Sequence, residues 1–303
     1  MNEPTLLFRS DLLASGTTAD EIRHALRAGR LRLVTRGVYI DGTLELDPIE
    51  HHRVRARAIH GAETGAAVIS HVSAAVMHGF DLWDVDLSRV HISREWASGG
   101  RRTGSLHLHT TSFRSDEVCR IADVSVTSVA RTVVDLARTL PPDQAVASGD
   151  SALRMYPEAA ASIPDALASA CNRNGIAAAR RIAQFLDGRS ESVGESLSRL
   201  RISTAGLPAP VLQYELRTAS GAFVARPDFY WKGAGVVGEF DGRGKYGFGE
   251  PGVTAETVHR EKLREDAIRT LGLEVVRWTW RDLFHFEAVR DRLVAAATRA
   301  RRR

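Results

Sequence analysis

Residues 225–242 read ARPDFYWKGAGVVGEFDG, and this stretch decides how the last third of the chain is built. Two runs rich in aromatic and β-branched residues, FVARPDFYW (223–231) and VVGEFDG (236–242), flank the short segment KGAG. Runs of this kind bounded by glycine predict neighbouring strands. Asp228 falls near the end of the first strand, and Glu239 and Asp241 lie in the second. Residues two apart in a strand project from one face, so Glu239 and Asp241 share a side, and the short turn lets Asp228 stand beside them. Phe229, Val236, Val237 and Phe240 make the strands apolar, a setting in which acids are costly unless they serve a function. The competing reading is a set of surface acids at strand ends. Gathered carboxylates repel one another without a cation, and hard oxygen donors favour Mg2+ or Mn2+. Such an ion polarises a phosphodiester, activates water and stabilises the leaving oxygen.

On the C-terminal side, TAETVHREKLREDAIRTLG (254–272) predicts a charged helix and LEVVRWTW (273–280) a strand, before a final helix ending in Arg299 and Arg301 to Arg303. On the N-terminal side, NGIAAARRIAQFLDG (174–188) and RSESVGESLSRLRISTAGLP (189–208) predict helices, and VLQYELRT (211–218) a further strand. Helix, three strands, helix, strand, helix gives a mixed sheet flanked by helices. Glu195, on the helix before the sheet, either reaches the acids or is a solvated helix residue. Arg260, Lys262 and Arg264 share their helix with Glu261, Glu265 and Asp266. They contact phosphates or, more cheaply, form i,i+4 pairs. Trp278 and Trp280 alternate along the last strand and read as core.

The front of the chain carries a different pattern. Thr5 to Ala14 has apolar residues at helical spacing until Gly16. TADEIRHALRAG (18–29) predicts a second helix, capped by Thr17 or Thr18 with Glu21 at the capping-box position. LRLVTRGVYI (31–40) then alternates like a hairpin. Together these predict a winged helix-turn-helix over residues 1–43. Its second helix would enter a major groove, and Arg23, Arg27, Arg30, Arg32 and Arg36 would meet phosphates of double-stranded DNA. Alternatively the arginines only solvate an amphipathic hairpin, and winged helices also mediate protein contacts.

Residues 44–170 predict a mixed α and β scaffold. PIEHHRVRARAIHGA (48–62), SHVSAAVMHGF (70–80) and SVARTVVDLARTL (128–140) read as helices, the last capped near Ser125 or Thr127. SRVHISRE (88–95) and GSLHLHTTSF (104–113) read as strands. His107 and His109 share one strand face, but with no acidic or cysteine ligand nearby they are expected to be ordinary surface or core histidines. The same expectation holds for His51 and His52, adjacent on a helix.

At 303 residues, 44% hydrophobic and 26% charged, the chain is of ordinary globular composition and long enough for two or three cores. The fold class expected is α/β (α+β multidomain), with a winged helix at 1–43, a scaffold at 44–170 and a third domain at 171–303. The net charge of +4, carried overwhelmingly by arginine, favours a polyanionic partner, although a GC-rich genome also enriches arginine. No apolar run approaches the roughly 20 residues of a membrane span. The start lacks the regions of a signal peptide, and the cysteines Cys119 and Cys171 form no paired motif. A cytoplasmic protein without a membrane partner is expected.

The wing ending RLVTRGVYI, the segment VISHVSAAVMHGF, the strand RVHIS, and VTSVARTVVDLAR followed by GDSALR resemble the abortive-infection antitoxins of the AbiEi type. That resemblance covers about half of the chain and implies a DNA-binding, regulator-like module on an α and β scaffold; it shows no toxin partner. The last third resembles the PD-(D/E)XK nuclease superfamily, in its small bacterial branch related to very-short-patch repair endonucleases. Pro227-Asp228 matches the first motif and Glu239-Phe240-Asp241-Gly242 the second, Glu195 matches the helix acid, and REDAIRTLGLEVVRWTWRDL (264–283) matches the closing helix and strand.

This resemblance implies a restriction-endonuclease-like domain with Asp228, Glu239 and Asp241 around Mg2+ or Mn2+. Asp241 stands where the superfamily usually has lysine, and serves as a further ligand or positions water. Lys245 either supplies the missing charge or is solvated beyond the turn. The expected function is metal-dependent DNA cleavage, with a homodimer as an option for double-strand cutting. The alternative is a non-catalytic DNA-binding regulator of the antitoxin type. An RNA-directed nuclease is disfavoured, because no RNA-recognition signature is visible.

Overall fold

The computed structural model describes residues 4–62, 67–95, 100–242 and 255–302. Helices and mixed sheets make it an α/β multidomain chain, as expected. It divides into two compact units, residues 1–148 with 158–184 and residues 149–157 with 185–303. The boundary placed at residue 43 from sequence falls inside the first unit, and so does the one at 170.

In the first unit, β1 (Leu7–Phe8), α1 (Arg9–Ala14), α2 (Ala19–Arg27), β2 (Leu31–Thr35) and β3 (Val38–Asp41) follow in order. The segment read as a helix from Thr5 begins instead as a strand, because Leu7 and Phe8 pair antiparallel with Tyr39 and Val38. The resulting sheet has the order β1-β3-β2. The α2 start is set by a full capping box. Thr18 Oγ1 accepts from the Glu21 N–H at 3.2 Å, and Glu21 Oε2 accepts from the Thr18 N–H at 2.7 Å. A cap of this kind stabilises a helix by about 1 kcal/mol.

Next come α3 (Pro48–Ala62), β4 (Ala67–Ile69), α4 (His71–His78), β5 (Val90–Arg94), β6 (Arg101–Arg102), β7 (Leu106–Thr110), β8 (Val118–Ile121) and β9 (Val124–Thr127). The strands form a sheet of order β6-β7-β5-β4-β9-β8, with β5 and β7 parallel. Ala56 and Ile59 of α3 and Ala74 and Met77 of α4 pack on Ile69, Ile92, Val124 and Val126 of this sheet. Helices α5 (Val129–Thr139), α6 (Pro142–Met155), α7 (Ile163–Ser169) and α8 (Ile176–Phe185) follow. The α5 cap is Ser128, whose hydroxyl accepts from the Arg131 N–H; Ser125 and Thr127 lie in β9.

The second unit runs α9 (Val193–Thr204), β10 (Val211–Leu212), β11 (Leu216–Arg217), β12 (Phe223–Ala225), β13 (Phe229–Trp231), β14 (Val236–Asp241), α10 (Ala255–Thr270), β15 (Glu274–Thr279), α11 (Trp280–Leu283) and α12 (Glu287–Ala300). Both long strand-like stretches upstream of the turn are broken. VLQYELRT splits at Gln213, which holds φ 52°, and FVARPDFYW splits at Arg226-Pro227-Asp228. A proline N has no hydrogen to give a ladder. The main sheet has the order β10-β13-β14-β15, antiparallel except for the parallel β14–β15 pair, and β11 and β12 form a separate hairpin.

Two glycines set the packing around β14. A Cβ at Gly238 would come within 2.5 Å of the Trp278 ring, and one at Gly194 would fall inside the Phe240 ring. Trp278 is core, as expected: it is 1% exposed, lies 5.2 Å from the Phe229 ring, and its indole N–H bonds Ser198 Oγ of α9 at 2.8 Å. Trp280 leaves the strand and starts α11. On the opposite side of β14, Val237 packs with Ile268 of α10. Among the described residues no helix is long and apolar enough to cross a membrane. Cys119 and Cys171 are both free thiols.

Candidate functional site

The β13–β14 register pairs Trp231 with Val236, Tyr230 with Val237 and Phe229 with Gly238. One step further, Asp228 comes opposite Glu239. The broken first strand therefore brings the acids together: Asp228 sits just before β13, and its Oδ2 accepts from the Phe240 N–H at 2.8 Å. Burial, first, and then the neighbouring Glu195 charge push the Asp228 carboxyl up from 3.8 to about 6; the Phe240 N–H pulls against this, and Glu239 adds to it.

Glu195 arrives from α9, whose close approach to β14 depends on Gly194. Its residue is 8% exposed, which rules out a solvated helix acid. Ser192 Oγ donates to its Oε1 at 2.8 Å, and its Oε2 accepts from the Glu191 N–H and from Gln213 Nε2, both at 2.9 Å. Gln213 was invisible in the sequence, where it lay within a continuous strand pattern. Its left-handed backbone at the end of β10 places the amide against Glu195.

Glu239, 9% exposed, is held by two guanidinium groups. Arg264 of α10 takes Oε1, and Arg277 of β15 takes Oε2 at 2.9 Å. Parallel pairing sets Glu239 and Arg277 side by side. The i,i+4 reading of Arg264 is thereby corrected, while Arg269 and Glu265 do form such a pair. Asp241 is exposed at the last position of β14. Lys245 and the Arg260 side chain lie outside the described residues.

The donor set suits a hard divalent ion; burial raises Asp228 most, and the Glu195 and Glu239 charges add to that. Asp228 and Glu239 would hold such an ion if Glu239 exchanged one guanidinium for it. As placed, the acids among the described residues do not all converge within 4.8 Å, with Glu239 turned to its arginines.

In the N-terminal segment, Arg23 and Arg27 lie one turn apart on α2, and Arg30 and Arg36 are also exposed. Arg23 pairs with Asp20. Arg32 differs from these four: it is half-buried and its Nη2 donates to the Leu44 carbonyl at 2.9 Å, so it serves the fold.

No family model matches the chain. Over 177 residues it is 33% identical to the uncharacterized protein Rv2248 of Mycobacterium tuberculosis (strain ATCC 25618 / H37Rv), a match that covers 58% of this chain and 63% of that protein. The uncharacterized protein MT2308 of M. tuberculosis (strain CDC 1551 / Oshkosh) matches with the same identity and coverage. The chain thus spans less than two thirds of the length of these relatives. Among solved structures, the RV2827C protein from M. tuberculosis is similar with a TM-score of 0.41 and 14% identity, covering 72% of this chain and 85% of that one; this likeness is too low to carry an argument.

Proposed function

We propose that the chain is a metal-dependent DNA endonuclease, with phosphodiester hydrolysis in the second unit and duplex binding by the N-terminal winged helix. The observation that supports this best is the half-buried Asp228 carboxyl, raised to about 6 near the buried Glu195 and Glu239. A strongly perturbed acid with charged neighbours marks a candidate functional site. The motif order in residues 195–283 supports the same reading. A bound Mg2+ or Mn2+ would supply the positive charge that polarises the phosphodiester and acidifies water.

The chain's own residues do the rest. Asp228 and Glu239 bind, and Glu195 with Gln213 fixes the surroundings of Asp228. Asp241 positions water at the open end of β14. Arg277, beside Glu239, takes the place of the usual motif lysine as the fixed positive charge. Arg23, Arg27, Arg30 and Arg36 meet backbone phosphates, which makes binding steeply salt-dependent.

Cleavage of supercoiled plasmid and of single-stranded DNA with Mg2+ or Mn2+ tests the proposal. Wild type is expected to nick, and Glu239→Ala to lose cutting by about 1,000-fold while keeping duplex affinity. A second reading, a non-catalytic DNA-binding regulator of the antitoxin type, is favoured by the double arginine pairing of Glu239. It predicts no cleavage by either protein and duplex binding indifferent to the substitution.

A further inference from the structure

The first unit carries a cluster that the nuclease proposal does not use. Parallel pairing of β5 and β7 sets His91 beside His107 and Ser93 beside His109. Residues two apart in a strand share a face, so three histidines stand on one side of the sheet. A fourth, His71, the first residue of α4, joins them, so histidines expected as ordinary surface or core residues stand in one cluster. His71 is 4% exposed and holds φ 51°, a left-handed conformation that a residue with a Cβ rarely adopts. Its ring stacks on His109, with 3.8 Å between centroids. His91 Nδ1 and His109 Nε2 are 3.1 Å apart. One nitrogen from each of His71, His91 and His109 lies within 4.8 Å of the other two.

We propose that His71, His91 and His109 bind a divalent transition-metal ion of the zinc class. Imidazole nitrogen suits zinc, copper, iron and nickel, whereas Mg2+ and Ca2+ want oxygen. Zinc–nitrogen bonds of roughly 2.0–2.1 Å place two ligands of a tetrahedral ion roughly 3.3 Å apart. The His91–His109 separation of 3.1 Å already matches that edge. His71 closes the triangle by tilting out of its stack on His109. Its Nδ1 is 3.0 Å from Ser70 Oγ, which accepts in turn from Ser93 Oγ at 2.8 Å. That chain leaves Nε2 for the ion, and outer contacts of this kind fix the tautomer and orientation of a ligand histidine. Asp135 is not a ligand, because its two oxygens accept from Arg131 and Arg138, each at 2.8 Å. His107, with its ring centroid 3.9 Å from that of His109, buttresses the set from outside.

The site opens on one side. His71 and His109 line a cleft of about 440 Å3 together with Ser93, Thr111, Arg138 and Arg173. Three protein ligands and an open position belong to ions that take an exogenous ligand; purely structural zinc is closed by four. Arg131, Arg138 and Arg173 outnumber the one carboxylate of the cleft, Asp135, and the net positive lining favours an anion in that position.

The untagged full chain, stripped with a chelator, tests this by Zn2+ titration against a chromogenic competitor. One tight Zn2+ per chain is expected, weakened about 100-fold or more by His91→Gln or His109→Gln. His107→Gln is expected to stay within about threefold, and the Asp228→Asn/Glu239→Gln double variant to retain the ion, which separates this site from the acidic one. Zinc-edge X-ray absorption of the wild-type complex needs no variant, and must show imidazole nitrogen around the metal. The proposal is overturned if wild type binds no Zn2+ tighter than about 100 µM. A His91→Gln/His109→Gln chain that binds normally, a loss on His107→Gln, or an edge dominated by oxygen or sulfur would equally overturn it.

Discussion

Asp228, Glu195 and Glu239 bring negative charge together and hold it with Arg264, Arg277 and Gln213, whereas His71, His91, His107 and His109 pack against one another as rings. In the first cluster Glu239 keeps its charge by importing countercharge. The second avoids charge: burial, joined by neighbouring imidazoles, pushes His91 down to about 3 and His109 to about 2. A polar cluster can thus be kept in a folded chain by pairing or by neutrality, and each route leaves its own mark on stability against pH and substitution.

The largest expected effect breaks the acidic side. Gly194→Ala drives a methyl group into the Phe240 ring. Overpacking of this severity costs about 3 kcal/mol, read from denaturant unfolding, and it displaces Glu195 from Asp228. An unchanged midpoint would mean that the approach of α9 to β14 is looser than described.

The next effect contrasts the clusters by pH. The folded state holds a proton on Asp228 that the unfolded chain releases between 3.8 and about 6, so its contribution is lost as pH rises through that window. Asp228→Asn is therefore expected to stabilise the metal-free chain on the order of 1–2 kcal/mol above pH 7, a gain that vanishes near pH 4. The histidines have the opposite sign. Their folded pKa values lie below 6.5, so stability is fully present above that pH and falls on acidification. His109→Gln should flatten the acid limb of the metal-free chain and leave the alkaline limb unchanged. Identical pH profiles for the two variants would erase the contrast.

The smallest effect sharpens the pairing itself. Arg264→Ala removes one of the two guanidinium groups on Glu239 and should cost about 1 kcal/mol, because the arginine is partly exposed. On the nuclease proposal it also frees a carboxylate oxygen, and Mn2+ affinity by calorimetry should rise several-fold. Unchanged Mn2+ binding would favour a structural role for Glu239.

The acidic cluster was legible because its members lie within one short stretch and strand periodicity alone puts Glu239 and Asp241 on one side. Glu195 came from resemblance, and the structure supplied the reason, a glycine that lets its helix close on Phe240. What sequence could not give was the countercharge. Arg264 and Arg277 are 25 and 38 residues from Glu239, in segments whose arginines all look alike. Gln213 needed a positive φ that no motif announced. The histidine cluster was illegible for the same reason: parallel pairing of β5 and β7 and the start of α4 bring together residues with no common spacing. The capping box at Thr18 was readable because it is local; the strand at Leu7 was not, since its partner lies some thirty residues on.

The most direct test of the central claim is Mg2+-dependent plasmid cleavage by Asp228→Asn at pH 8, where that variant is expected to be more stable than wild type. Loss of cleavage in a well-folded, DNA-binding variant, with nicking by wild type, is the predicted result. Equal cleavage by both proteins, or none by wild type, would contradict the assignment of Asp228 to a catalytic metal site.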